Sequence, residues 1–522
     1  METWWFPPWQ PLLVLLSTVL LLYHIASSWH RGERHLPLPP GPWGLPFVGN
    51  ILQFGDMTHH GLARLASRYG GLLHLRLGRL HTVVVSTPEM ARLVLQANDR
   101  AFANRPTTAA IVYLSYDLAD MVFAPYGPLW RQLRKLCINK LFSRRRAASW
   151  AAVHDGVDGL IREVARNSGK VVNVGELVFG MSVSITLRAA LGMRIDECDG
   201  GKDAAELVAI VKEFSELFGA SNFADYVPWL GWLDVQGINR RMVAARAALD
   251  RLIDRAIDEH LANPKPADAD DADMVDGMLC FLDDAGAANT KCRDGAALRL
   301  SRDNIKATIM DVLFGGTETS ASTIEWAMAE LMNSPEEKKR VQDELAQAVG
   351  LHRQLRESDL TGDNKLPYFR CVVEETLRMH PPVPLLQHEA AVDCDVAGYR
   401  VPRKTRVVIN VWAIGRDASA WGDDADKFRP ARFGAGTDNA ETDYRGEHFH
   451  LLPFGSGRRS CPGMQLGMHE VELALARLLH GFDWSLPPAA PGDLDMRESY
   501  GLTSSRAVRL SAVPVPRLSH VL

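Results

Sequence analysis

Phe454-Gly455-Ser456-Gly457-Arg458-Arg459-Ser460-Cys461-Pro462-Gly463 is the stretch on which the reading of this chain turns. A cysteine binds a metal as its thiolate, and a buried anion needs compensation. Backbone N–H groups just after the cysteine can supply it, and a helix N-terminus adds its dipole. Pro462 suits the first turn of a helix, where its missing N–H costs nothing. Residues 464–480 carry apolar side chains at helical spacing and would be that helix. Gly457 and Gly463 allow tight turns and close approach to a flat macrocycle. A buried structural cysteine is the usual fate of a free thiol. Here Phe454, Gly457, Arg459, Cys461 and Gly463 match F-x-x-G-x-R-x-C-x-G, which favours a loop that presents Cys461 to haem iron. Arg459 would pair with a propionate through charge-assisted hydrogen bonds. Thiolate ligation favours O–O bond cleavage, so the expected chemistry is oxygen activation.

Upstream, residues 304–333 read as a helix of roughly 45 Å, using 1.5 Å per residue, with Asp303 as its expected cap. Gly315 and Gly316 sit in its interior, where each glycine costs about 1 kcal/mol against alanine. One reason to accept that cost is a groove for dioxygen. Thr319 could then hold a water against it and Glu318 relay protons inward. The competing reading is a kink with Thr319 bonded back to its own backbone. Glu375 and Arg378 lie three apart and share a helix face. Such pairs are common on surfaces and contribute little there.

Taken together these stretches resemble the cytochrome P-450 superfamily of haem-thiolate monooxygenases, from Pro37 to the C-terminus. The resemblance implies a mainly α fold with small β-sheets (α+β), with haem b between a long central helix and the cysteine loop. Trp130-x-x-x-Arg134 looks like the family's propionate-binding pair, and His388 stands where relatives place a basic residue near a propionate. Phe454, Arg459, Cys461 and Gly463 would complete the cofactor site, with Cys461 as the iron ligand. Gly315-Gly316-Thr317-Glu318-Thr319-Ser320 looks like the oxygen-activation motif, with Thr319 and Glu318 catalytic. Glu375 and Arg378 would join Arg432, from Phe428-Arg429-Pro430-Ala431-Arg432-Phe433, in a buried structural charge cluster.

Electrons would come from NADPH through a separate flavoprotein, NADPH–cytochrome P-450 reductase. Its acidic surface would meet the basic run Arg131, Arg134, Lys135, Lys140, Arg144, Arg145 and Arg146, an encounter that salt would weaken. A narrower resemblance is to the plant ferulate/coniferaldehyde 5-hydroxylases of syringyl lignin synthesis. Residues 56–65, 130–145, 273–276, 314–326, 377–386 and 453–467 carry it. That group hydroxylates guaiacyl phenylpropanoids (coniferaldehyde, coniferyl alcohol, ferulate) ortho to the phenol. A plant hydroxylase of another phenolic, such as a flavonoid, is the alternative. Walls for a small phenol would come from residues 104–116, 309–319, 382–386 and 500–505.

The composition agrees. A net charge of −5 over 522 residues and a sequence pI near 6.4 argue against a nucleic-acid partner. The seven cysteines fit neither a disulfide scaffold nor a zinc pattern, as in a reducing compartment. Residues 3–29 lack Asp, Glu, Lys and Arg, and tryptophans flank a Leu/Val-rich run. With the basic residues Arg31 and Arg34 following, this reads as an uncleaved single-pass anchor in the endoplasmic reticulum membrane, main domain cytosolic. The expected division is anchor 1–30, proline-rich hinge 31–50 and monooxygenase domain 51–522.

Overall fold

The structure, a computed structural model, describes residues 17–18, 36–46, 48–51, 57–138, 142, 147–193, 202–220, 222–226, 231–232, 234–266, 272–282, 299–361, 366–487 and 494–518. The expected anchor, apart from residues 17–18, lies outside them. So do Cys198, Cys292 and the end of the basic run, Lys140 and Arg144 to Arg146.

Seven helices matter for the site: α1 His59–Tyr69, α2 Pro128–Leu136, α3 Ala147–Arg166, α4 Val174–Leu191, α5 Arg302–Asn333, α6 Pro367–Met379 and α7 Met464–Gly481. Alternation around Gly78-Arg79 produces the hairpin β1 (Leu72–Leu77) and β2 (Leu80–Val85). Gly78 turns it with φ +62, a value glycine tolerates. Strands β3 (Leu385–Glu389) and β4 (Arg406–Asn410) complete a four-stranded sheet in the order β1-β2-β4-β3. β2 pairs with β4 in parallel and β3 with β4 antiparallel. A small hairpin near the C-terminus, β5 (Glu498–Tyr500) and β6 (Ser504–Arg506), lies against α5, where Ser322 and Trp326 donate to the Ser504 carbonyl.

The main core lies among the helices. α4 is capped by the Asn173 side chain and ends at Gly192 with φ +65. It is apolar enough to cross a membrane, yet 67% of it is buried. Packing against α5 explains that composition: Thr186 of α4 and Thr317 of α5 meet at 3.0 Å between their hydroxyls. α5 has no single apolar face because α4, α6 and α7 surround it, and most of its residues are buried, Asp311, Glu325 and Glu330 among them.

Several expectations change in detail. α5 starts at Arg302 rather than 304, and its cap is Ser301 rather than Asp303: Ser301 and Asn304 form a reciprocal capping box. The sequence spacing over residues 129–142 predicts a basic amphipathic helix; α2 covers Pro128–Leu136, Cys137 and Ile138 continue it helically, and residues 139–141 lie outside the described residues. Residues 396–401 read in the sequence as one short strand, but they belong to a hairpin, Cys394–Val396 with Tyr399–Val401, because Ala397 and Gly398 turn with positive φ. The proline-rich segment is docked to the domain. The Pro40 carbonyl accepts from His74 of β1, and the Pro37 carbonyl accepts from Arg400.

Candidate functional site

A cavity of about 370 Å³ lies between α5 and the cysteine loop. Cys461, Phe454, Arg459 and Gly463 line one side; Gly315, Gly316 and Thr319 line the other. All four segments expected to form walls contribute, through Arg105 and Ile111, Met310, Pro382 and Leu386, and Leu502 and Thr503. Met121 to Phe123 and Thr186 add wall that the sequence did not suggest. A wider depression of about 930 Å³ on the outer side of α3 and α4 carries no residue of α5 or of the cysteine loop. It holds none of the chemistry expected above.

The cysteine loop folds as its spacing demands. Gly455 and Gly457 take φ of +66 and +69, and the Cys461 amide donates to the Phe454 carbonyl at 2.9 Å. A side chain at Gly457 would meet the Leu95 carbonyl at 2.7 Å. α7 begins at Met464 with Gly463 as its cap, so Pro462 stands in the turn before the helix rather than inside its first turn. The exposed surface of Cys461 is cavity wall. Burial pushes its thiol pKa up, while the N–H groups of Gly463 and Met464 and the charge of Arg134 pull it back. A metal ion at the sulfur would complete that compensation.

A second requirement is an anion. Arg105, Arg134 and Arg459 all reach the cavity wall. Burial, then Arg105 beside it, pushes Arg459 down to about 9; burial, then Arg134, pushes Arg105 down to about 10. Their donors turn to backbone carbonyls. Arg459 donates to Ala103, Met121, Val122 and Ala124. Arg134 donates to the Ser460 carbonyl at 2.7 Å, and Arg105 to that of Gln387. Arg105 Nε is buried with no partner. Three cations depressed by burial around one wall, with an orphaned donor, fit a group carrying two carboxylates. Haem, with its two propionates and a metal for Cys461, meets both conditions.

Two residues expected at a propionate face elsewhere. The Trp130 indole donates to the Met121 carbonyl at 2.9 Å, and Arg459 stacks on its ring at 4.6 Å. Trp130 therefore holds the arginine that faces the cavity. His388 is buried with Nδ1 against the Phe102 carbonyl at 2.8 Å, and burial pushes its pKa down to about 3, so it is neutral.

On α5 the two glycines differ. A Cβ at Gly315 would meet nothing within 4 Å, whereas one at Gly316 would meet Thr186 Cγ2 at 2.7 Å. Gly315 opens the groove; Gly316 lets α4 approach. The helix is unbroken. Thr319 Oγ1 donates to the Gly315 carbonyl at 2.8 Å, yet the residue still lines the cavity, its lone pairs free to accept. The Glu318 carboxylate lies outside the wall and accepts from Ser505 Oγ of β6 at 3.2 Å.

Sequence reasoning missed three acids here. Asp120 and Asp311 are both buried, and each carboxyl shifts the other's protonation. Two such carboxyls must share a proton. Burial pushes Asp120 up to about 6 and Asp311 well up as well. Asp311 Oδ2 also accepts from the amides of Met121 and Val122 at 2.8 and 3.1 Å, which ties that wall to α5. Glu470 on α7 is the third. A lone acid in an apolar helical stretch was the available signal for Asp311.

Outside the cavity wall, Glu375, Arg378 and Arg432 are all buried. Arg378 holds both Glu375 oxygens at 2.6 and 2.8 Å, and Arg432 Nε reaches Oε1 at 2.9 Å. Their other donors reach the carbonyls of Gly415, Trp421, Asp424, Ala425 and Lys427. That network locks residues 415–432 onto α6, so the cluster holds the architecture behind the site.

Comparison with known proteins agrees with this geometry. Residues 39–508 match the Cytochrome P450 family model. "Cytochrome P450 84A1" of Arabidopsis thaliana is 51% identical over 98% of this chain and 97% of its own length. A flavonoid 3'-monooxygenase of Crocosmia x crocosmiiflora is 40% identical over 98% of each chain. A solved zebrafish cytochrome P450, described with progesterone, superposes with a TM-score of 0.74 at 25% identity, over 88% of this chain and 99% of that one. Haem iron with a thiolate ligand is the cofactor this family implies. A mainly helical chain with small sheets, its cysteine loop facing a glycine-bearing central helix across one cavity, thus belongs to the cytochrome P450 family.

Proposed function

We propose that this protein is a haem-thiolate monooxygenase that 5-hydroxylates guaiacyl phenylpropanoids, in syringyl lignin synthesis. Coniferaldehyde, coniferyl alcohol and ferulate are its substrate class. The observation that carries the chemistry is the single cavity shared by Cys461, Gly315 and Thr319. The substrate class follows from the resemblance carried by residues 56–65, 130–145, 273–276, 314–326, 377–386 and 453–467, and identity of only 40% to the flavonoid 3'-monooxygenase, against 51% to Cytochrome P450 84A1, weighs against the flavonoid alternative.

Bound haem supplies the activation of dioxygen by iron. The chain's residues do the rest. Cys461 holds the metal as thiolate, with the amides of Gly463 and Met464 and the charge of Arg134 stabilising the anion. Arg105, Arg134 and Arg459 neutralise the propionates. Thr319 accepts a water at Oγ1, which orients a proton toward the groove at Gly315. Glu318 passes protons inward from its contact with Ser505. Apolar walls from Ile111, Val122, Phe123, Leu386 and Leu502 exclude water and hold a planar ring. Electrons arrive from NADPH through the reductase, docked over Arg131 and Lys135 on the outer face of α2. Residues 1–30 anchor the enzyme in the endoplasmic reticulum membrane, and residues 31–50 connect it to the domain 51–522.

Competition decides the substrate. The full chain with a plant reductase and NADPH is offered coniferaldehyde, coniferyl alcohol, ferulate and a flavonoid together. The expected product is a 5-hydroxyguaiacyl compound with the flavonoid untouched. Preferential flavonoid hydroxylation would overturn the substrate class, and turnover without NADPH would overturn the monooxygenase reading.

A further inference from the structure

Glu470 is the buried acid that the mechanism above leaves unused. It lies on α7, 3% exposed, in the wall of the cavity that Cys461 also lines. A hydroxyl from another helix holds its carboxyl. Ser182 of α4 donates to Oε1, and Ser320 of α5, the neighbour of Thr319, lines the same cavity and holds the carboxyl's pKa down. Gly467, one turn earlier on α7, faces Ser320: a Cβ there would stand 3.7 Å from Ser320 Oγ, an ordinary contact.

Among the described residues no charged group acts on this carboxyl. The titratable groups of the surrounding helices are engaged elsewhere. On α3, His154 pairs with Glu357, Asp155 with Arg188 of α4, and Asp158 with Arg477. On α4, Glu176 faces Lys212 and Arg509. On α5, Glu318 faces Ser505, Glu325 faces Arg509 and Asp311 faces Asp120. On α7 itself His469 faces Glu357. A buried carboxylate with only hydroxyls to stabilise it is less favourable than the neutral acid.

We propose that Glu470 is a redox-linked proton site, taking up one proton when the cofactor in this cavity takes up one electron. The inference rests on the reading that Cys461 holds haem. The step balances: the electron comes from the reductase, or from dithionite in a test; the proton comes from solvent and binds a carboxylate oxygen; no bond to carbon forms or breaks. The physical cause is mutual repulsion in a water-poor site. A negative Glu470 disfavours an added electron, and an added electron favours protonated Glu470. Burial pushes the carboxyl up to about 7, with Ser182 and Ser320 pulling the other way, so the linkage falls in the neutral range. As pH rises through it the acid ionises and the reduction potential falls.

The test is a potentiometric titration of the haem-loaded full chain from mildly acid to mildly alkaline pH, with the reduced carbon-monoxide spectrum as a check on thiolate ligation. The wild-type potential should be level in acid, fall through neutrality no faster than about 59 mV per pH unit, the one-electron limit for a tenfold change, and level again. Glu470→Gln, neutral at every pH, should be flat at the acid value. Ser182→Ala removes a bond that holds the pKa down, so it should move the fall to higher pH. That shift also decides the matter if Glu470→Gln does not load haem. A flat wild-type profile with the thiolate spectrum intact overturns the role of Glu470 alone. So does an unchanged fall in Glu470→Gln. Loss of the thiolate spectrum from the wild type itself overturns the haem reading and this inference together.

Discussion

Alanine should separate Gly315 from Gly316, although the two are adjacent on one helix. At either position it restores about 1 kcal/mol of helix propensity. At 315 the new methyl meets nothing within 4 Å, so the gain is kept. That is about a fivefold smaller unfolded population. At 316 the methyl arrives 2.7 Å from Thr186 Cγ2. Thr186 cannot easily turn away. Its hydroxyl bonds the carbonyls of Ser182 and Val183 at 2.9 and 3.0 Å and meets Thr317, and in a β-branched side chain Cγ2 and Oγ1 move together. Overpacking of this kind costs about 1–3 kcal/mol, which leaves a net loss of about 0–2 kcal/mol after the propensity gain. Haem proteins of this size seldom unfold reversibly, so the assay is the rate at which heat destroys the reduced carbon-monoxide spectrum. Gly315→Ala should resist heat at least as well as wild type, while its methyl in the groove lowers hydroxylation per NADPH consumed. Gly316→Ala should decay faster, by up to about 30-fold. Thr186→Ser, which deletes Cγ2 and keeps the hydroxyl, should rescue Gly316→Ala in the double variant. A Gly316→Ala protein as heat-stable as wild type, with no coupling to Thr186→Ser, would refute the described contact between α4 and α5.

Glu375→Gln leaves Arg378 and Arg432 buried without their counter-charge, a loss of about 3–5 kcal/mol; soluble, haem-loaded protein at wild-type yield would contradict that. Asp311→Asn keeps an acceptor for Met121 and Val122 and gives Asp120 a donor. The pKa of Asp120 is raised from 3.8 to about 6 and that of Asp311 also rises. The folded state thus holds protons the unfolded state releases, and the wild type loses stability as pH climbs from 3.8 through 6 and beyond. The asparagine variant should gain most over wild type on the alkaline side, as read by thermal inactivation at several pH values; an advantage confined to acid pH would reverse the sign. Cys461→Ala should abolish the thiolate-type reduced carbon-monoxide spectrum, whose persistence would exclude Cys461 as ligand. Thr319→Ala should keep that spectrum while NADPH oxidation outruns product formation; unchanged coupling would remove Thr319 from proton delivery.

Much of the fold was legible because its signals are local. The hairpin around Gly78 is written in alternation, and α7 after Cys461 follows from apolar spacing. Helix ends were less legible. Asp303 and Ser301 both suit an N-cap, and the choice fell to the reciprocal bonds between Ser301 and Asn304. The span 396–401 looked continuous until Ala397 and Gly398 turned it. The paired glycines looked like one groove; only the neighbours show that one faces open space and the other faces Thr186.

The sequence alone determined the chemistry of this protein's centre, because a cysteine loop and a glycine-threonine helix each carry their functional groups within a few consecutive residues. Spacing along the chain is then spacing in space. Only the tertiary structure decided what surrounds that centre. Asp311 meets amides 189 and 190 positions away, Glu470 accepts from a serine 288 positions away, and Arg134 reaches Ser460 across 326. No periodicity encodes such pairs. Their protonation and charge come from burial and from neighbours brought by other elements, and these exist only once the chain has packed.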